Sequence, residues 1–254
     1  MKGKKGLILG VANKRSIAWA IARSVSSQGA ELAFTYQGER LAENVKELAD
    51  TLPNSQVMPC DVTDEAQVDA VMRELDSKWG GVDFLVHCVA FANAEDLEGG
   101  YLKTKKEGFA TALNVSAYSL TLVSQKVAPL MEKNGGGSIL TLTYLGGQRV
   151  MVNYNVMGVA KAALEASVKY LANDLGPKNI RVNAISAGPV NTLAARGITG
   201  FADIIKMVRE KSPLRRNIEP EEVGDAGLFL VSQLSRGITG EILFVDCGYN
   251  IIAF

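Results

Sequence analysis

The feature that most constrains this chain is a repeated switch of hydrophobic period. Short apolar runs rich in β-branched residues alternate along the whole length with segments whose apolar residues recur at helical spacing. Gly6 to Gly10 reads as a buried strand, Ser16 to Gln28 as a helix stopped by Gly29, Glu31 to Tyr36 as a strand, and Glu39 to Leu52 as a helix stopped by Pro53. Strands at Val57 to Cys60 and Val82 to His87 follow, with a helix at Asp64 to Trp79 between them. Thr104 and Glu107 have capping-box spacing and predict one long helix to about Glu132, broken by Asn134-Gly135-Gly136-Gly137. Strand Ser138 to Thr143, helix Tyr154 to Leu175 with Gly176-Pro177 as its stop, strand Ile180 to Ile185, helix Glu221 to Ser232 and strand Glu241 to Val245 complete seven βα-type units. Such alternation demands right-handed crossovers, so the expected fold is α/β, a doubly wound parallel sheet of seven strands. No repeat, linker or composition break divides it, and 254 residues suit one domain of this kind.

Composition narrows the function. Hydrophobic residues make up 47% of the chain and charged ones 21%, which excludes disorder. Lys plus Arg (27) equal Asp plus Glu (27), so the footprint of a dedicated nucleic-acid or anionic-membrane binder is missing. No apolar run approaches the roughly 18 residues of a membrane span. After the basic start at Met1 to Lys5 comes only Leu7-Ile8-Leu9, which does not read as a signal peptide. Cys60, Cys88 and Cys247 are widely spaced and unpatterned, as expected in a reducing, cytoplasmic setting. The one histidine, His87, ends an apolar run and reads as a satisfied structural residue; with one His, no usual metal-ligand set can be assembled.

A doubly wound sheet binds ligands beyond the carboxyl ends of its strands. After Leu7-Ile8-Leu9, Gly10 permits a tight turn, and Ser16-Ile17-Ala18 begin a helix whose amino end can hold a pyrophosphate, although the stretch is not G-x-G-x-x-G. At the second strand tip Gln37 replaces the acidic residue that usually grips the adenosine ribose, which leaves NADH against NADPH less settled than an Asp would. At the third, Asp61 can accept from an adenine amino group with Val62 stacking nearby, or can simply start the next helix. Tyr154 and Lys161 are seven residues apart, about 700° of rotation and about 10.5 Å of rise, so they share a helix face. A phenol with an ammonium within 4 Å gains roughly 4 kcal/mol toward phenolate at an effective dielectric near 20, which makes a working acid. The pair also fits a helix with an exposed Lys and a half-buried Tyr.

Four segments decide between these readings: Gly10-x5-Ser16-x-Ala18, Thr143-Tyr144-Leu145-Gly146-Gly147, Asn153-Tyr154-Asn155-Val156-Met157-Gly158-Val159-Ala160-Lys161, and Ile180-Arg181-Val182-Asn183-Ala184-Ile185-Ser186-Ala187-Gly188-Pro189. Together, and from Lys4 to Ala253, the chain resembles the NADH-dependent enoyl-acyl-carrier-protein reductases of bacterial type, a divergent branch of the short-chain dehydrogenase/reductase superfamily with a Rossmann fold. Ordinary ketoreductases of that superfamily carry Tyr four residues before the Lys and Ser thirteen before that Tyr; here those positions are Met157 and Tyr144. The resemblance implies that Tyr154 donates to the thioester carbonyl, that Lys161 holds the nicotinamide ribose, and that Tyr144 is a second active-site phenol. It implies cofactor contacts at Gly10, Ser16, Ile17, Gln37, Asp61, Val62, Val89 and the run Val190, Asn191, Thr192, Leu193, Ala194, with Thr192 facing the carboxamide, and a substrate contact at Ala92. NADH is the expected cofactor, with NADPH less favoured.

Two departures stand out: Cys88-Val89-Ala90 where Ser-Ile-Gly or Ser-Ile-Ala is usual, and Asn191 where Arg is common, which removes a charge beside the pyrophosphate. The segment Val190 to Lys211 reads as a mobile substrate lid, with Gly197 and Gly200 as hinges, an apolar face at Ile204-Ile205-x-Met207-Val208, and Arg196, Lys206 and Arg209 as attraction for an acidic acyl carrier protein. A homotetramer built through the two long helices is implied by resemblance. A reductase for another unsaturated or carbonyl substrate, and a dinucleotide sensor without turnover, remain as alternatives.

Overall fold

The computed structural model describes residues 1 to 192, 195 and 200 to 253. Its strands are β1 (Lys5–Leu9), β2 (Glu31–Tyr36), β3 (Ser55–Pro59), β4 (Phe84–His87), β5 (Gly137–Thr143), β6 (Ile180–Ala187) and β7 (Ile242–Val245). They form one parallel sheet in the order β3-β2-β1-β4-β5-β6-β7. The order reverses direction at β1, so the carboxyl ends of β1 and β4 border an open crevice. Leu9 pairs with His87 there, which places the next residues, Gly10 and Cys88, side by side at its base.

Helices α1 (Ile17–Ser27), α2 (Glu39–Ala49), α3 (Glu65–Trp79), α4 (Lys106–Leu113), α5 (Ser119–Lys133), α6 (Asn155–Leu175), α7 (Phe201–Lys211) and α8 (Pro220–Val231) complete the architecture. Alternate strand residues supply two cores, one per face, because successive side chains point to opposite sides. Leu7, Leu9, Leu85, Ile139 and Val182 pack with residues of α3, α5 and α6. Ile8, Phe34, Phe84, Val86 and Leu140 pack with residues of α1, α2 and α8. Emptying either layer by a Leu→Ala change costs about 2–5 kcal/mol.

The fold agrees with the period reading, but local chemistry corrects it in places. The capping box at Thr104 and Glu107 does not form: Thr104 Oγ1 donates to the Tyr101 carbonyl at 2.7 Å, closing a 3₁₀ turn, and Lys105 is the helix N-cap. Nor does one helix run to Glu132. A π-helical stretch, Asn114–Tyr118, separates α4 from α5. Side chains explain the widening: Ser119 Oγ donates to the Val115 carbonyl at 2.6 Å, and Ser116 Oγ bonds both the N–H and the carbonyl of Phe91. A reciprocal cap instead opens α8, where the Glu222 carboxylate accepts the Glu219 N–H at 2.8 Å and Pro220 stands at N1. Beyond β7 only a 3₁₀ turn, Tyr249–Ile251, follows, so the seventh unit has no α-helix among the described residues.

Candidate active site

Gly10 takes φ +95°, and a Cβ there would lie 2.1 Å from the Cys88 carbonyl oxygen. Only glycine allows both that angle and that approach of two strand ends. The turn beyond it is held by Ser16, whose Oγ accepts the N–H groups of Ala12 at 3.0 Å and Asn13 at 3.2 Å. This leaves the amino end of α1 at the crevice, a position suited to a pyrophosphate.

Just beyond the tips of β2 and β3, Gln37 and Asp61 meet. Gln37 Nε2 donates to Asp61 Oδ2 at 2.8 Å, while Asp61 Oδ1 accepts from Thr63 N–H and Thr63 Oγ1. Partial burial opposes ionisation of Asp61, but the two Thr63 bonds and the Gln37 amide hold its carboxyl below the usual range. Asp61 therefore does more than begin a helix, whose N-cap is in fact Asp64. Val62 is buried and Val89 packs against the same core layer.

The carboxyl ends of β4, β5 and β6 open on a cavity of about 630 Å³. Ile17, Val190 and Thr192 line it together with Tyr144, Tyr154 and Lys161; Phe91, Ala92, Met151, Met157, Phe201 and Ile204 give it apolar walls. Seven of the residues expected from sequence thus meet in one space, whereas Gly10, Ser16, Gln37, Asp61, Val62 and Val89 lie along the strand tips leading to it. Asn191 is exposed. Thr192 Oγ1 accepts the Ala195 N–H at 3.1 Å. Leu193, Ala194, Arg196 and Gly197 lie outside the described residues.

Tyr154 is the N-cap of α6, flanked by Asn153 at φ +61° and Asn155 at φ +37°. Asn tolerates such angles better than most residues, and strain of this sort gathers at functional sites. Tyr144 ends in extended backbone before a 3₁₀ turn, Leu145–Gly147. A Cβ on Gly146 would strike the Tyr154 ring at 2.4 Å, so the turn and the helix start are in close contact.

The electrostatics correct one expectation. Burial, with Tyr144 and Glu165 nearby, pushes the Tyr154 phenol well above the ordinary tyrosine value, so it is held neutral rather than drawn toward phenolate. Tyr144 is pushed up to about 12, first by burial and then by Tyr249 and Asp246. Burial brings Lys161 down to about 8, although Cys88 and Glu165 act in the opposite sense. Its Nζ donates to the Leu142 carbonyl at 2.8 Å, which fixes the amine beneath the cavity. His87 is structural, as expected: wholly buried between Thr141 Oγ1 at 3.1 Å and Ser119 Oγ at 2.9 Å, it is brought down to about 3 by burial and by Lys161. The sequence reading missed Glu165, a buried carboxylate one turn beyond Lys161; its i+4 spacing was the available signal.

The sequence pattern of the family described as Enoyl-(Acyl carrier protein) reductase matches residues 10–250. The chain belongs to that family. Its relatives include the NADH-dependent enoyl-acyl-carrier-protein reductase FabI of Bacillus subtilis strain 168, 56% identical over all of this chain and 98% of the relative. A solved Bacillus cereus enoyl-acyl carrier protein reductase with NADP+ and indole naphthyridinone superposes with a TM-score of 0.97 at 55% identity, covering 100% and 98% of the two chains. The Anaplasma phagocytophilum reductase in complex with NAD gives 0.96 at 52% identity, covering 100% and 96%.

Proposed function

We infer that the protein reduces the trans-2 double bond of enoyl thioesters carried by acyl carrier protein, using NADH, in fatty-acid elongation. The observation that carries this reading is the buried Tyr154 phenol, edge-on to Tyr144 and lining the same cavity as buried Lys161, under walls apolar enough for an acyl chain.

The residues present suit a dinucleotide. The Gly10 turn and the amino end of α1 would take the pyrophosphate, Gln37 and Asp61 the adenosine, Ile17, Val190 and Thr192 the nicotinamide, and Lys161 its ribose hydroxyls. Bound NADH supplies a hydride to the β-carbon of the substrate. The carbonyl oxygen of the thioester then gains charge, and the Tyr154 hydroxyl donates a hydrogen bond to it. A phenol held neutral keeps its proton available to an oxyanion at ordinary pH, and the apolar walls exclude water that would weaken the bond. Lys161 positions rather than protonates. Tyr144 packs on the Tyr154 ring and limits its tilt.

In this reading the described part of the lid is α7, with Gly200 as its N-cap and Phe201 and Ile204 lining the cavity. Lys206 and Arg209, both exposed, lie on its outer side, where an acidic carrier domain would approach. Exposed Tyr118 beside α5 and Tyr170 on α6 support association through these helices into a homotetramer. No helix among the described residues is long and apolar enough to cross a membrane. With the unpaired cysteines, this supports a cytoplasmic enzyme.

The test compares crotonyl and acetoacetyl thioesters with NADH. The reading expects oxidation of NADH with the first and little with the second; the reverse preference would indicate a ketoreductase.

A further inference from the structure

Behind the two phenols lies a carboxylate with no assigned part in the reaction. Glu165 is 6% exposed on α6, four residues beyond Lys161. Its Oε1 accepts the Thr143 hydroxyl at 2.7 Å and its Oε2 accepts Gln148 Nε2 at 2.9 Å. Thr143 ends β5 immediately before Tyr144, and Gln148 closes the 3₁₀ turn after it. One carboxylate therefore clamps both ends of the segment that carries Tyr144 onto the helix that begins at Tyr154 and carries Lys161. The clamp is tight. A Cβ on Gly147 would lie 2.8 Å from Glu165 Oε1 and 3.1 Å from the Lys161 carbonyl carbon, and one on Gly158 would lie 2.7 Å from the Gly146 carbonyl oxygen.

A buried carboxylate is costly unless hydrogen bonds and a counter-charge compensate for lost water. Two neutral donors alone are modest compensation for a task that a neutral glutamine could share. The charge itself has a second object: the Lys161 amine one turn away, whose ammonium form it favours. We propose that Glu165 is a positioning residue of the reductase site, which sets Tyr144 against Tyr154 through its two hydrogen bonds and places a carboxylate one helical turn from Lys161. The inference rests on the reductase reading above. The titratable groups about Lys161 are Glu165 on its own helix, His87 at the end of β4, Cys88 just beyond it, and the phenols Tyr144 and Tyr154 sharing the cavity.

Three variants separate the two roles, read by NADH affinity against pH without thioester and by kcat with a trans-2-enoyl thioester. Glu165→Gln removes the charge, while its amide can still accept from Gln148 and donate to the Thr143 hydroxyl. It is expected to lower kcat at least tenfold and to move the alkaline loss of NADH affinity down by about one pH unit. Gln148→Leu breaks one tether and keeps the charge, so kcat should fall several-fold while the alkaline midpoint stays. The exchange Glu165→Gln with Gln148→Glu restores the hydrogen bond in reverse and returns a carboxylate to the cluster, and should recover most of both properties. A purely structural carboxylate would lower the melting temperature without moving the pH midpoint. The proposal is overturned if Glu165→Gln leaves kcat within twofold and the midpoint unmoved, or, should that variant not fold, if Gln148→Leu retains wild-type kcat. Lack of enoyl-dependent NADH oxidation by the unaltered protein would instead defeat the reductase reading.

Discussion

The ring of Tyr144 meets that of Tyr154 edge-on, with centroids 5.1 Å apart and planes at 69°. Such a contact is worth about 0.5–1.5 kcal/mol beyond burial and fixes ring orientation. The Tyr154 side chain is the more deeply buried of the two, and Tyr144 is only half-buried. Tyr154→Phe should leave NADH binding within about twofold and lower kcat about 10²–10³-fold, the usual loss of an oxyanion donor. Tyr144→Phe keeps the ring contact and should cost less. Lys161→Ala should weaken NADH binding and turnover together. Steady-state kinetics with an independent NADH titration distinguishes these cases, and wild-type kcat in Tyr154→Phe would remove that phenol from the mechanism.

Cofactor preference follows from the Gln37 to Asp61 hydrogen bond. It holds an ionised carboxylate at the strand tips, where, on the proposed reading, a 2′-phosphate would be repelled. The kcat/KM for NADH should exceed that for NADPH by about tenfold, the effect of roughly 1.4 kcal/mol. Asp61→Asn should narrow the gap. Equal values in the unaltered protein would mean that Arg40 reaches over the ribose, in which case Arg40→Ala should restore the preference for NADH.

His87 gives a prediction about stability. The unfolded chain protonates this residue near 6.5, but the folded state resists protonation until about 3, because burial and Lys161 oppose the charge. Between those values the unfolded state holds more protons, so stability falls as pH is lowered, by up to about 1.4 kcal/mol per unit. Urea midpoints measured from pH 6.5 to 4.5 should decline. As this is the one histidine of the chain, His87→Asn should lower stability throughout yet flatten that slope. An unchanged slope would assign acid sensitivity to carboxylates.

Charge on the outer side of α7 bears on the carrier protein. Lys206→Glu with Arg209→Glu should raise KM for an acyl-carrier-protein substrate, most steeply at low salt, and leave KM for a short free thioester alone. A parallel rise in both would show that the helix itself had been disturbed.

Most of the architecture was legible because a doubly wound sheet writes itself as alternating periods, and strand positions such as Leu7, Ile8 and Leu9 must serve two cores in turn. Misreadings arose where side chains compete for backbone groups. Thr104 fits a capping box by spacing, yet its hydroxyl is engaged by the Tyr101 carbonyl. Ser116 and Ser119 open a π-helical turn that period analysis cannot register. In the site, Tyr154 and Lys161 were placed together by helical geometry, but the state of the phenol was not, because it depends on burial contributed by segments distant in sequence. Glu165 went unnoticed for a related reason: one turn from a lysine on an amphipathic helix, a glutamate reads as a solvated ion pair.

Hydride delivery to the β-carbon of an enoyl thioester, in the cavity lined by Tyr154 and Lys161, leaves a label that can be located. Its most direct test is to incubate the protein with a trans-2-enoyl thioester and NADH deuterated at nicotinamide C4, and to locate the label in the product by NMR. The account predicts a saturated thioester with one deuterium at the β-carbon and solvent-derived hydrogen at the α-carbon. Deuterium at a carbonyl-derived carbinol carbon, or no saturated product despite bound NADH, would contradict it.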